Sequence, residues 1–195
     1  MKNILILGAS GGIARIAIDL FLNEDDIKLT LFLRNSRRLK NLASERVQIV
    51  EGDVLDLNKL TEAMHGQDVV YANLAGDLKK MAENIVESMH EANVKRLIFI
   101  SSMGIYDEVP GEKYGSVLNP YRNAAKVIEA SDLEYTILRP AWFTNANEVD
   151  YETTQKGEPF KGTSVSRKSV ADLVVKLAIN PELEVRHSLG VNKPE

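Results

Sequence analysis

Three glycines stand in the run Gly8-Ala9-Ser10-Gly11-Gly12-Ile13-Ala14, between the apolar, strand-like Ile4-Leu5-Ile6-Leu7 and a helix-period stretch carrying Ile13, Ile16, Ala17 and Leu20. A strand, a glycine-rich turn and a helix in that order hold phosphate. Gly8 permits the sharp turn, and Gly11 and Gly12 let backbone N–H groups approach a pyrophosphate. The positive end of the helix, from Gly11 to about Leu22, faces the anion. Ser10 and Ile13 belong to the same candidate loop. An ordinary strand–helix turn is the plain alternative, but the buried-type strand and apolar-periodic helix on either side favour the phosphate site.

Such a loop works only if a sheet holds it, and the rest of the chain supplies one. Apolar strand-like runs recur at 2–7, 28–33, 46–50, 68–72, 96–101, 134–139 and about 185–191, with helix-period stretches between most of them. The clearest helix runs from Asp77 to about Glu91. It places Leu78, Met81, Ala82, Ile85, Val86 and Met89 on one face and so assigns its methionines to the core. Another begins at Asn119 with Pro120 at its first position, and a last one spans about 168–179 before Pro181. Alternating strands and helices require right-handed crossovers, which give an α/β doubly wound parallel sheet covered on both faces, with ligands at the carboxyl ends of the strands. The 195 residues fit a single such domain, 1–195, with substrate cover from loops at about 103–119 and 142–167.

The composition narrows the chemistry. A formal net charge of −4 gives no broad basic surface, so nucleic acid is not an expected partner. Without cysteine there is neither a disulfide nor thiol catalysis, and His65, His90 and His187 lack ligand-like spacing, so no metal is expected. The chain enters its first strand at once, and no apolar run approaches the ~20 residues of a membrane span. A cytoplasmic protein that does not associate with membranes is the expectation.

These residues and their order resemble an atypical short-chain dehydrogenase/reductase of the NmrA-like, NAD(P)H-binding type, over nearly the whole chain. Gly8, Gly11 and Ala14 fit its GxxGxxG loop, and Gly8, Gly12 and Ala14 its GxxxGxG form, alanine replacing the last glycine in both. After the second strand an NAD-specific site places a carboxylate near the ribose 2′-hydroxyl. Here Arg34 stands, with Arg37 and Arg38 behind it, and a guanidinium fork suits a 2′-phosphate. The resemblance therefore implies NADP(H) over NAD(H), the alternative being a solvated basic turn. It further implies that Asp53 and the Val54 amide meet the adenine, and that Ala75 and Gly76 of Asn73-Leu74-Ala75-Gly76 leave room for the cofactor against the sheet; a helix cap at Asp53 and a plain small-residue turn at 75–76 are the alternatives. The end of the sixth strand, at Pro140, then passes beside the nicotinamide.

On the catalytic side, Ser101-Ser102-Met103-Gly104-Ile105-Tyr106 resembles the Ser-Ser-x-x-x-Tyr segment of extended short-chain enzymes. Ser101 is implied to line the cofactor site and Ser102 to take the family's catalytic serine position. Its hydroxyl would bond a substrate oxygen as charge develops there, or simply satisfy a strand-end amide. The family's acid is a tyrosine four residues before a lysine, a spacing that puts both on one helical face. Lys126, either the residue that holds the nicotinamide ribose or an exposed lysine on an ordinary helix, has Arg122 at that distance. Tyr121 lies five before it, about 140° around the helix, and Tyr114, in the loop before that helix, is a less regular substitute acid. Trp142 and Phe143 follow the sixth strand, either as a wall for a flat substrate or as plain core, and Arg167 lies in the closing segment, facing the pocket or solvent.

The reading is a single-domain Rossmann reductase that passes a hydride from NADPH to a small flat acceptor: a flavin, a quinone or a conjugated carbonyl. Such acceptors take hydride into a delocalised anion that water can protonate, so the altered Tyr–Lys spacing matters little. A non-catalytic NADP(H) sensor is the rival, and a sugar-nucleotide epimerase or dehydratase a third possibility. Turnover of NADPH separates the first two.

Overall fold

The computed structural model describes all 195 residues. Strand β1 (Lys2–Leu7) leads to α1 (Gly12–Leu22), β2 (Ile27–Leu33), β3 (Val47–Glu51), α2 (Leu57–Met64), β4 (Val69–Ala72), α3 (Leu78–Glu91) and β5 (Arg96–Ile100). Then follow α4 (Asn119–Glu129), β6 (Glu134–Pro140), β7 (Trp142–Thr144), β8 (Glu152–Gln155), β9 (Ser164–Ser166), α5 (Arg167–Ile179) and β10 (His187–Asn192). The main sheet has the order β3-β2-β1-β4-β5-β6-β10-β8, and β7 pairs with β9 in a separate parallel ribbon.

The period of two in β1 decides how the layers form. Ile4 and Ile6 face a core shared with Ala14, Ala17 and Ile18 of α1 and Val170, Ala171 and Val174 of α5. Leu5 and Leu7 face the opposite core, built with Leu60 of α2, Ala82, Ile85 and Met89 of α3, and Ala124, Ala125 and Ile128 of α4. Strands buried on both faces read as continuous apolar runs, which is why β1, β2 and β5 stand out in the sequence. Each such Leu or Ile side chain contributes about 1.5–3 kcal/mol by leaving water.

The sheet departs from an all-parallel arrangement at one edge, where β8 runs antiparallel to β10. The segment 142–167, expected as loop, therefore holds three short strands. Glu152-Thr153-Thr154-Gln155 has no apolar run, and only Thr154 is buried, so pairing with β10 creates this strand. No helix is long and apolar enough to cross a membrane.

The strand order reverses between β1 and β4, where successive crossovers leave to opposite sides of the sheet. That reversal opens a crevice at the carboxyl ends of both strands.

Candidate functional site

Gly8 and Asn73 meet at this crevice. Gly8 has φ +76°, and a Cβ there would lie 2.1 Å from the Asn73 carbonyl oxygen, so only glycine lets the ends of β1 and β4 come this close. A Cβ on Gly11 would lie 2.8 Å from Asn73 Nδ2. Gly11 is the N-cap of α1 and no side chain caps that helix, which leaves its first-turn amides for a ligand. Gly12 begins the helix and is exposed, whereas the Ile13 side chain is core, so Ile13 offers only its backbone amide.

Gly8, Ser10 and Gly11 form one wall of a cleft of about 300 Å³. Phe32 fills the space above Gly52, where a Cβ would come within 2.5 Å of its ring, and both line the cleft. Asp53 and Val54 follow. Asp53 accepts a bond from the Leu55 amide (2.9 Å), and the Val54 N–H has no partner within the chain. Asn73, Leu74, Ala75 and Met81 close the far side; Met81 thus serves as cleft wall as well as core. Gly76 is not part of this lining; its φ of +112° carries the turn into α3, next to the Met81 side chain.

Arg34 lines the cleft, but Arg37, expected beside it, does not. Residues 36–38 form a 3-10 turn in which the Asn35 side chain accepts from the Arg37 amide (3.2 Å). At three residues per turn successive side chains diverge by about 120°. Arg38 therefore enters the cleft with Arg34, and Arg37 lines a separate shallow groove beside Lys40 and Gln48. Neither Arg34 nor Arg38 has an ion-pair partner. Glu51, the last residue of β3, is held by the Ser36 hydroxyl and amide, which together with Lys59 and Arg37 lower its pKa.

The candidate catalytic residues stay apart. Ser101 is buried with a hydroxyl that has no partner, and the half-buried Ser102 hydroxyl donates to the Met103 carbonyl (3.0 Å). No hydrogen bond joins Ser102, Tyr121 and Lys126 to one another. Helix α4 is regular, so Tyr121 packs against the core while Lys126 is exposed without an ion-pair partner. Arg122, at the family's tyrosine position, instead braces the loop after β5: it donates to the carbonyls of Gly104 (3.3 Å), Ile105 (3.1 Å) and Gly115, and to Asp107 (2.9 Å). Tyr106 donates to Glu129 (2.7 Å) and bonds Ser188 (3.0 Å), and burial raises its pKa. Pro140 is buried within β6 opposite Val191, its carbonyl accepting from the Met103 amide (3.2 Å); it secures the loop and does not line the cleft. Trp142 and Phe143 are 67% and 39% exposed, too open for core residues, and the Arg167 guanidinium stands over the Phe143 ring.

A sequence model described as NAD(P)H-binding matches residues 8–181. This chain belongs to that NAD(P)H-binding family. A Rossmann-fold NAD(P)-binding family protein from Shigella flexneri is 48% identical, covers 100% of this chain and 94% of its own, and superposes with a TM-score of 0.91. A short-chain dehydrogenase/reductase from Veillonella parvula, solved in complex with NADP, is 31% identical over 99% of this chain and 95% of its own (TM-score 0.90). An uncharacterised sugar epimerase of Bacillus subtilis is 25% identical over 88% of this chain and 86% of its own. The chain is thus an atypical short-chain dehydrogenase/reductase-like protein with an oxidoreductase-like fold.

An NAD(P)H dinucleotide fits what this family member presents. Glycine keeps the floor beside Asn73 open, α1 offers uncapped amides, Val54 offers a free amide, and two unpaired arginines stand at the end of β2. Three contributors escaped the sequence reading, which named Arg38 only as an equal of Arg37. Phe32 is hidden inside an apolar strand, and Met81 reads as core from its helical face. Glu108, which ties the loop after Ser102 to Arg139 (2.6 Å), carries no local signal at all.

Proposed function

We propose that this protein is an NADPH-dependent reductase that passes hydride to a small, flat, delocalised acceptor: a flavin, a quinone or a conjugated carbonyl. The observation that carries this reading is that no tyrosine is paired with Lys126 as an acid: the Tyr114 ring packs against Gly104 and its hydroxyl bonds neither Ser102 nor Lys126. Tyr106 is tied to Glu129, Tyr121 packs away from Lys126, and Arg122 is committed to the loop. When bound, the reduced nicotinamide supplies the hydride. The chain's residues hold the dinucleotide, and Phe143, next to Arg167, offers an apolar surface beside it, Trp142 pointing to the other face of β7. A simple ketone leaves an alkoxide that needs a positioned proton; a flavin or quinone does not.

The test is oxidation of NADPH with a panel of flavins, quinones and aldehydes. Flavins or quinones are expected to turn over faster than simple aldehydes. Tight NADPH binding without turnover by any acceptor would instead support a redox sensor. Tyr121→Phe is expected to keep the rate within about twofold, because a general acid would contribute about 10²–10⁴-fold and this phenol has no such placement. Ser102→Ala, which deletes one hydrogen bond to a substrate oxygen, is expected to cost up to about tenfold. A hundredfold loss in Tyr121→Phe with NADPH binding intact would move the assignment to an epimerase-like or carbonyl-reductase mechanism.

The preference for NADPH rests on Arg34 and Arg38, which have no other partner. A charge-assisted bond commonly contributes ~1.5–3 kcal/mol, so Arg34→Ala is expected to weaken NADPH by about tenfold or more and to leave NADH nearly unchanged. Calorimetry with both cofactors measures this. Equal losses would remove the 2′-phosphate assignment.

A further inference from the structure

Helices α1 and α5 pack side by side through Ala14, Ala17 and Ile18 against Val170, Ala171 and Val174, which brings the first residue of α5, Arg167, to the first residue of α1, Gly12. The Arg167 Cδ and Nε lie 3.4 Å from where a Gly12 Cβ would be. Its guanidinium stands 5.1 Å from the Phe143 ring centroid and donates through Nη1 to Asn145 Oδ1 (2.8 Å). No carboxylate pairs with it. An unneutralised guanidinium, held by an aromatic face and a neutral amide, thus lies against the uncapped turn where a pyrophosphate approaches. It also stands over Phe143, the aromatic residue proposed to line the acceptor site.

We propose that Arg167 binds the phosphate on the nicotinamide side of the dinucleotide and steers that half of the cofactor toward Phe143. The proposal rests on the NADP(H) reading above. Arg34 and Arg38, at the end of β2, then hold the 2′-phosphate, while Arg167, from the far end of the chain, holds the other end. The arrangement separates their effects by ligand. Adenosine 2′,5′-bisphosphate carries the adenine half with the adenine-side phosphate only and lacks the phosphate assigned to Arg167, whereas NADP⁺ engages both ends.

The experiment is calorimetry of wild type, Arg34→Ala, Arg167→Met and Arg167→Lys with NADP⁺ and with adenosine 2′,5′-bisphosphate. Methionine keeps the aliphatic stem against Gly12 and Phe143 and removes only the charge. Arg167→Met is expected to weaken NADP⁺ by about tenfold, the value of one charge-assisted contact, with adenosine 2′,5′-bisphosphate within about twofold of wild type. Arg167→Lys is expected to restore part of the loss, since it returns the charge without the planar fork. Unchanged NADP⁺ affinity in Arg167→Met overturns the proposal, and so does an equal loss for both ligands. If instead Arg34→Ala alters neither ligand while the Arg167 contrast persists, the 2′-phosphate reading fails and the Arg167 assignment stands.

Discussion

Gly12→Val is expected to weaken NADPH binding by at least about a hundredfold while the protein still folds. Gly12 has no positive φ, and a Cβ there meets only the Arg167 side chain at 3.4 Å, an ordinary contact distance. The branches of valine, however, would stand beside Arg167 at the first turn of α1, across the approach proposed for a pyrophosphate to its uncapped amides, although Gly12 itself does not line the cleft. Losing two charge-assisted hydrogen bonds at about 1.5–3 kcal/mol each corresponds to about 10²–10⁴ in affinity. Gly8 is a poorer choice, because a side chain there strikes the Asn73 carbonyl and a positive φ adds strain, so the fold itself would suffer. Calorimetry with NADPH and a thermal melt of the same sample are sufficient. A folded Gly12→Val protein with wild-type affinity would reduce the loop to a structural turn.

The second large effect belongs to a buried ion pair away from the cleft. Arg139→Met is expected to lower the unfolding free energy by about 3–5 kcal/mol, the usual cost of leaving one member of a buried pair without its partner. Arg139 is 0% exposed and Glu108 6%. The guanidinium bonds Glu108 (2.6 Å), the Ser188 hydroxyl (3.0 Å) and the Ser188 carbonyl (3.1 Å), so its loss strands several polar groups together. Glu108 in turn accepts from the amides of Gly104 (2.9 Å) and Tyr106 (3.0 Å), which fixes the loop that follows Ser102. Urea denaturation measures the loss, and the double variant Arg139→Met/Glu108→Gln is expected to regain part of it. A cost below about 1 kcal/mol would mean that water reaches the pair and replaces Arg139.

The sheet and its cleft could be read from the chain because they rest on short-range patterns. Alternation in β1, the apolar run of β2 and the helical spacing in α3 each reflect contacts made repeatedly by neighbouring residues, and a glycine-rich turn after a strand has few geometries open to it. The turn at Gly8 through Gly12, Arg34 after β2 and Asp53 after β3 all fall at strand ends, where a doubly wound sheet places its ligand. The spacing of Tyr121, Arg122 and Lys126 likewise follows from helix geometry alone.

Contacts between distant segments decided the rest. Whether Arg37 or Arg38 faces the cleft depends on one 3-10 turn docked on β3 through Ser36 and Glu51. The edge strand β8 exists because β10 offers it unpaired backbone groups, and its polar residues give no sign of it. Met81 reads as core from its helical face, yet the position of α3 beside the crevice also makes it a cleft wall. Arg139 stands just before Pro140, at the strand end that the resemblance sets beside the nicotinamide, but Glu108 and Ser188, brought to it from either side, make it the anchor of a loop. Arg167 meets Gly12 across more than 150 positions of chain only because α1 and α5 share one core. Periodicity tells which face of an element is buried, but a side chain at an element's end takes its direction from whatever the packed fold sets beside it.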